Sequence, residues 1–223
     1  MRLAVINPNS TRSMTDKIAA AARAAAPLAV IDGRTCAGSP PSIQGPADGE
    51  AALPHLLTEV QAAHAAGADA CIIACFDDTG LAQARKLVPI PVVGIGEAAF
   101  HAAMLLGHQY SVVTTLSISV PVIAENIKTY GLGSHCLNVR ASEVPVLDLE
   151  KPGSDARAKI SAEIGRAIRQ DRAGAIVLGC AGMADLAAAL SAEHQVPVID
   201  GVAAACGFAQ TLVLLQHSVP GGK

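Results

Sequence analysis

The sequence has no tryptophan, and only 2% of its 223 residues are aromatic. The core must therefore be built from Ala, Val, Ile and Leu, which suits parallel strands covered by helices on both faces. Charge is scarce as well, with a formal net charge of −3 and Lys and Arg scattered along the chain. The basic footprint of a nucleic-acid-binding or membrane-surface protein is missing, so we expect neither a nucleic-acid nor a membrane partner.

No apolar run approaches the roughly 20 residues that a membrane helix needs. The first residues, MRLAVINPNST, enter a strand pattern at once and lack the apolar region and cleavage site of a signal peptide. The cysteines show no CxxC spacing and no closely spaced Cys/His cluster, so neither a disulfide framework nor a metal site is expected. We therefore predict a cytoplasmic protein whose six thiols are reduced: Cys36, Cys71, Cys75, Cys136, Cys180 and Cys206.

Strand-like runs alternate with Ala-rich helical stretches along the whole chain. In the first half the runs cover residues 3–7, 28–33, 69–76 and 91–96. In the second half, runs that begin at residues 110, 174 and 196 follow in the same order and at similar spacing. This pattern predicts an α/β fold with parallel sheets and an internal repeat of about 105 residues.

The repeat predicts two similar lobes, each with a parallel sheet flanked by helices, related by pseudo-twofold symmetry. We place the N-terminal lobe at residues 1–98 and the C-terminal lobe at residues 99–206. A C-terminal helix over 207–223 is expected to pack back on the first lobe.

Two cysteines stand at equivalent positions of the repeat, Cys75 in ACFDDTG and Cys180 in GCAGM. Each follows a buried strand, and ligands of open α/β sheets collect at the carboxyl ends of strands. A helix that begins just after a thiol would lower its pKa, from about 8.5 to about 7. Two such thiols facing one ligand could remove a proton from carbon and return one to the opposite face.

Several motifs carry a family resemblance. INPNST, PPSIQG, ACFDDTGL, GIGEAAFHAAMLLG, VVTTL, VLGCAGM and VPVIDGV together resemble the hydantoin racemase branch of the aspartate/glutamate racemase superfamily, over about residues 3–215. The resemblance implies a cofactor-independent racemase of 5-monosubstituted hydantoins, which are cyclic ureides. It also implies two flavodoxin-like lobes with the site between them, and association into homo-oligomers.

The resemblance assigns the two acid/base roles to Cys75 and Cys180. It implies substrate contacts for Asn7, Ser42, Ile43, Phe76, Asp77, Thr114, Thr115, Gly179 and Ala181. The two threonines are neighbours on a strand, so one of them must point away from the site.

Acidic residues follow only one of the two cysteines. Asp77 and Asp78 would raise the pKa of Cys75, unless both cap the following helix and their field is thereby partly compensated. Cys180 is followed by Ala-Gly-Met. We therefore expect Cys180 to be the more acidic thiol.

Other functions stay open at this point. Allantoin is itself a hydantoin with a ureido group at C5, although Asp77 and the Ala-rich lining favour larger apolar substituents. Decarboxylation would need only one reprotonating cysteine, and a binding module would need neither. Gly94, Gly96 and Ala99 fit the dinucleotide pattern GxGxxA, but this stretch follows the fourth strand and lacks the later acidic residue, so no nucleotide cofactor is expected.

Overall fold

The computed structural model of the protein describes residues 1–151 and 153–217. In the first half, strands and helices alternate as β1 (Arg2–Asn7), α1 (Arg12–Ala25), β2 (Val30–Thr35), α2 (Pro46–Ala65), β3 (Ala70–Ile73), α3 (Leu81–Leu87), β4 (Val92–Gly94) and α4 (Ile95–Leu105). In the second half they are β5 (Tyr110–Thr114), α5 (Val120–Thr129), β6 (Cys136–Ala141), α6 (Ala156–Arg166), β7 (Ala175–Gly179), α7 (Ala187–His194), β8 (Val198–Ile199) and α8 (Gly201–His217). Within the described residues no helix is long and apolar enough to cross a membrane.

The strands form two four-stranded sheets in which every pair is parallel. The strand orders are β2-β1-β3-β4 and β6-β5-β7-β8, so each half of the chain builds the same topology. The predicted α/β fold of two similar lobes is confirmed. Because β1 and β3 are neighbours, as are β5 and β7, the residues that follow these strands gather at one edge of each sheet.

Both faces of the central strands are buried, which explains why their sequences are apolar throughout. Along β1, Leu3 and Val5 face a core shared by the two sheets, whereas Ala4 and Ile6 face the core beneath α2 and α3. The side chains of the second sheet alternate in the same way: Val112 lies in the shared core, and Val113 faces α6 and α7. The shared core holds the two sheets together.

Two strands differ from their predicted limits. The run 28–33 begins too early, because Leu28 is 95% exposed and β2 starts only where Val30 pairs with Arg2. The run 69–76 is too long, because β3 ends at Ile73, where its partner β4 ends at Gly94. Cys75 therefore lies two residues beyond the strand.

Two helices connect the lobes. The division predicted between residues 98 and 99 falls inside α4, which begins directly after the first sheet and leads to the second. The last helix, α8, begins at Gly201 and packs against α1, α4 and both strands β3 and β4. The predicted helix 207–223 overlaps α8, and its residues 218–223 lie outside the described part of the chain.

Candidate active site

A small cavity of about 30 Å³ lies between the carboxyl ends of the two sheets. Residues that follow β1, β3 and β5 and residues around the end of β7 line it, so both lobes contribute to its wall. Eight of the predicted site residues line this cavity: Ile43, Cys75, Phe76, Asp77, Thr115, Gly179, Cys180 and Ala181. The fold therefore brings the two cysteines, 105 residues apart in sequence, to one site.

The Cys75 thiol lies in a turn between β3 and α3. Its sulfur accepts a hydrogen bond from the backbone N–H of Asp77 and lies 3.4 Å from the hydroxyl oxygen of Thr79. Burial, and secondarily the Asp77 carboxylate, raises the pKa of Cys75 to about 12. With a pKa of about 12, this thiol is protonated at neutral pH.

The Cys180 thiol has an equivalent backbone environment. A 3-10 turn, Ala181–Leu186, begins directly after it, and the N–H of Gly182 donates to its sulfur. Burial raises the pKa of Cys180 to about 11, while the Lys17 ammonium acts in the opposite direction. Each thiol thus receives an N–H from the residue two positions further on, one in each lobe.

The expectation that a helix end lowers both pKa values is wrong, because both values are raised. Helix α3 begins only at Leu81, six residues after Cys75, so its terminal N–H groups do not reach that sulfur. For both thiols the loss of hydration outweighs the N–H donors. Asp77 raises the pKa of both thiols, and the expectation that Cys180 is the more acidic of the two stays a prediction.

Asp78 does not cap the helix that follows it. Its Oδ1 accepts the N–H of Gly96 at 3.0 Å and its Oδ2 accepts the N–H of Glu97 at 2.8 Å, so it caps α4 instead. The Tyr130 hydroxyl donates to the same carboxylate at 2.9 Å, and burial raises the pKa of Asp78 to about 7. The idea that both acids cap the following helix is therefore wrong.

This cap also accounts for the glycines of the dinucleotide-like pattern. A Cβ on Gly94 would lie 2.1 Å from Oδ1 of Asp78, and one on Gly96 would lie 2.4 Å from the carbonyl oxygen of Phe76. Glycine is needed here because a carboxylate and a turn approach the start of α4. A phosphate-binding role is not required to explain GIGEAAF.

Asp77 belongs to the first lobe and forms hydrogen bonds to residues of the second lobe. Its Oδ2 accepts the Ser119 hydroxyl at 3.2 Å, and its backbone carbonyl accepts Nδ2 of Asn126 at 2.9 Å. Burial raises the pKa of Asp77 to about 6. Its negative charge raises the pKa of Cys75 and of Cys180, so it acts on both thiols.

Three predicted contact residues do not line the cavity. The Asn7 side chain is fully buried, and its Nδ2 donates to Oδ1 of Asn9 at 2.7 Å and to the Thr15 hydroxyl at 3.0 Å, which fixes the loop after β1. Thr114 donates its hydroxyl to the Gly179 carbonyl at 2.8 Å. Ser42 is buried beside Ile43 without lining the cavity.

Other lining residues were not predicted from the sequence: Pro8, Asn9, Met14, Ala74, Ser119 and Val146. Asn9 belongs to the motif INPNST, from which only Asn7 was expected to contact a ligand. Val146 carries no sequence signal. It reaches the cavity because its N–H donates to Oε1 of Gln44, 102 residues earlier, at 3.2 Å.

The described residues contain no group of three or more His, Cys, Asp or Glu side chains that could hold a metal ion. The residues with acid/base or hydrogen-bonding groups that line the cavity include Cys75, Cys180, Asp77 and Thr115. These groups can exchange protons with a small ligand.

Comparisons with known proteins identify the family of the chain. The family model described as Asp/Glu/Hydantoin racemase matches residues 3–209. The chain belongs to this family. A protein named hydantoin racemase from Rhizobium meliloti is 42% identical over 214 residues, which cover 96% of this chain and 89% of that protein.

Solved structures of racemases match the same fold. The allantoin racemase from Klebsiella pneumoniae has a TM-score of 0.94 at 42% identity, covering 97% of this chain and 89% of the other. The allantoin racemase from Pseudomonas fluorescens has a TM-score of 0.92 at 39% identity, covering 100% and 98%. As a member of this racemase family, the chain is an isomerase, and its cavity is the candidate active site.

Proposed function

We propose that the enzyme racemises 5-monosubstituted hydantoins by a two-base mechanism that uses Cys75 and Cys180 and no cofactor. The observation that carries the proposal is the placement of both thiols on one cavity, from equivalent positions of two equivalent sheets. Each sulfur also receives one backbone N–H from the residue two positions on. A single acid/base step would not require this duplication.

The reaction follows from the acidity of the C5 hydrogen, which lies next to a carbonyl. One cysteine, as thiolate, takes the C5 proton, and the electron pair of the C5–H bond moves onto the carbonyl oxygen as an enolate forms. The other cysteine, as thiol, returns a proton to the opposite face of C5. The product is the other enantiomer, and the two cysteines have exchanged protonation states.

The enolate oxygen needs hydrogen-bond donors, which stabilise it more than the neutral carbonyl. The Thr115 hydroxyl lines the cavity and is 4% exposed. We assign this role to Thr115 together with backbone N–H groups at the strand ends. The other lining residues that the sequence indicated, Ile43, Phe76, Gly179 and Ala181, form the walls against which the ring lies.

The cavity must widen before a substrate binds. A cavity of about 150 Å³ takes one benzene-sized ring, whereas the space between the thiols is about 30 Å³. The segment 36–45 contributes Ile43 to the cavity wall and, among the described residues, forms a single hydrogen bond to the second lobe, from the N–H of Val146 to Gln44. We propose that this segment moves when the ring enters.

Relatives of equal identity are named for different hydantoin substrates. The relative from Rhizobium meliloti is named a hydantoin racemase, and the structure from Klebsiella pneumoniae is named an allantoin racemase, at the same 42% identity. We therefore propose the 5-substituted hydantoin ring as the substrate class, with allantoin included.

We also propose that the protein works in the cytoplasm as a homo-oligomer with lobes 1–98 and 99–206. All six cysteines are free, and α8 exposes Leu212 and Leu215 beside an apolar groove near Ile90. Analytical ultracentrifugation tests the assembly. A monomer at micromolar concentration would contradict it.

The decisive experiment incubates single enantiomers of several hydantoins, including allantoin, in D2O. The wild-type enzyme should abolish optical rotation while one deuterium enters C5. Cys75→Ser and Cys180→Ser should each lose racemisation, whereas Cys136→Ser, a partly exposed cysteine outside the cavity, serves as the matched control. Full racemisation by either serine variant of the pair would overturn the two-thiol mechanism.

A further inference from the structure

A second cleft adjoins the thiol cavity. It has a volume of about 260 Å³, far more than the cavity between the thiols. Asp77 lines both spaces, so its side chain stands between them. The side chains that shape the cleft come from α2, the turn after β3, α3 and α5: Glu50, Leu53, Asp77, Thr79, Gln83 and Val122.

The proposed reaction restricts where the C5 substituent can lie. When C5 loses its proton it becomes planar, and the two thiols must stand on its opposite faces. The substituent then lies in the plane of the ring, so it must extend from C5 between the two sulfur atoms. The cavity itself has no room for it, and the cleft beyond Asp77 has.

The polar atoms of the cleft are mostly acceptors. One carboxylate oxygen of Asp77 accepts the Ser119 hydroxyl at 3.2 Å, and within the described part of the chain the other oxygen accepts no hydrogen bond. Glu50 and Gln83 are exposed, and neither makes a side-chain hydrogen bond or ion pair within the described residues. None of the residues that line the cleft is basic.

One feature of the cleft would by itself favour negatively charged groups. Helix α2 begins at Pro46, and its first N–H groups give this end a positive potential. Asp48 in the first turn already accepts the N–H of Gln44 at 3.0 Å, and Glu50 follows, so two carboxylates compensate that potential. The cleft therefore keeps a negative character, with Leu53 and Val122 supplying apolar contact.

We propose that this cleft is the subsite for the C5 substituent and that it selects N–H-donating or cationic groups over carboxylates. The inference rests on the proposed racemisation of hydantoins. A ureido group offers three N–H donors to Asp77, Glu50 and Gln83, so allantoin fits the cleft. The sequence, read alone, favoured apolar substituents, because the acceptors from α2 and α3 were not seen to meet there.

A matched pair of substrates tests the charge preference. Hydantoins with a 2-carbamoylethyl or a 2-carboxyethyl group at C5 have nearly the same shape and differ by one charge. The wild-type enzyme should racemise the carbamoyl compound with a kcat/KM about tenfold higher, because the carboxylate meets two acidic side chains across a partly hydrated cleft. Equal values for the pair would overturn the proposal.

Gln83→Lys tests the location. The added ammonium should raise kcat/KM for the carboxyethyl compound several-fold relative to kcat/KM for 5-methylhydantoin, because a methyl group does not reach the cleft. Gln61→Lys adds the same charge on an exposed position of α2 outside the cleft and should change neither substrate. A gain that is equal for both substrates, or equal in both variants, would place the subsite elsewhere.

Binding separates this proposal from the proposed function. Calorimetry on the Cys180→Ser variant measures Kd for the matched pair without turnover. Tighter binding of the carbamoyl compound supports the cleft even if no hydantoin is racemised by the wild type, in which case the proposed reaction alone fails. Absence of binding by both compounds, or equal Kd values, overturns the cleft.

Discussion

Replacing Asp77 by Asn removes one negative charge that acts on both candidate acid/base groups. The asparagine keeps the size of the side chain and an oxygen that can accept the Ser119 hydroxyl. Because Asp77 raises the pKa of Cys75 and of Cys180, both values should fall. The fall should be larger for Cys75, where Asp77 is the largest influence after burial, than for Cys180, where it follows burial and an N–H donor.

The size of the effect follows from Coulomb's law. Two unit charges on the order of 6 Å apart, at an effective dielectric constant of about 20, interact by about 3 kcal/mol, or about 2 pKa units. The partly open cavity reduces this, so we expect about 1–2 units at Cys75 and less at Cys180. The difference in thiolate formation between the variant and the wild type should vanish below pH 6. Burial raises the pKa of Asp77 to about 6, so below that pH its carboxyl is neutral in the wild type as well.

The assay measures the pH dependence of alkylation by iodoacetamide at each cysteine, with mass spectrometry of the peptides. Single-thiol readings come from Cys75→Ser and Cys180→Ser backgrounds, with and without Asp77→Asn. Asp16→Asn, an exposed change on α1 whose side chain is 64% accessible, is the control and should move neither curve. Unchanged curves for both thiols, or a shift confined to Cys180, would refute the electrostatic reasoning.

Three further outcomes are expected. Because both thiols are protonated at neutral pH, kcat/KM should rise about tenfold per unit between pH 7 and pH 9 in a stopped polarimetric assay; a flat profile would contradict the raised pKa values. Arg140→Ala should lower the free energy of unfolding by about 3–5 kcal/mol, since within the described residues it leaves Asp171, 9% exposed, without a cation and Glu163, 6% exposed, with Arg166 alone. Urea denaturation measures this, and Arg12→Ala, at a site 72% exposed, should cost less than about 0.5 kcal/mol. Gly179→Ala should cost about 1–3 kcal/mol in the same assay, because its Cβ would lie 2.6 Å from a threonine side chain of the neighbouring strand. Gly133→Ala, where a Cβ meets nothing within 4 Å, should be neutral.

Much of the fold could be predicted because its determinants are local. Alternation of apolar strands and Ala-rich helices, repeated in each half, requires only the pattern of buried residues. The meeting of Cys75 and Cys180 also followed, since the ends of equivalent strands lie at equivalent places in equivalent sheets.

The rest of the site depends on contacts between distant segments. Val146 lines the cavity through a bond to Gln44, and Ser119 through a bond to Asp77, and neither pairing leaves a trace in local sequence. Asp78 was misassigned for the same reason, because the helix it caps begins 17 residues later instead of next in the chain. The thiol pKa values are raised because the sulfur atoms are buried, and a sequence motif does not show whether a side chain is buried.

The burial that keeps the Cys75 and Cys180 thiols protonated has a consequence for chemical durability. Peroxides attack the thiolate form of cysteine, so a neutral thiol is a poor target for oxidation to the sulfenic or sulfinic acid. In the proposed mechanism, the two thiols therefore rest in a form that resists oxidants, and either becomes vulnerable only when it ionises for turnover. In the presence of hydrogen peroxide, the enzyme should retain its activity longer without substrate than during turnover.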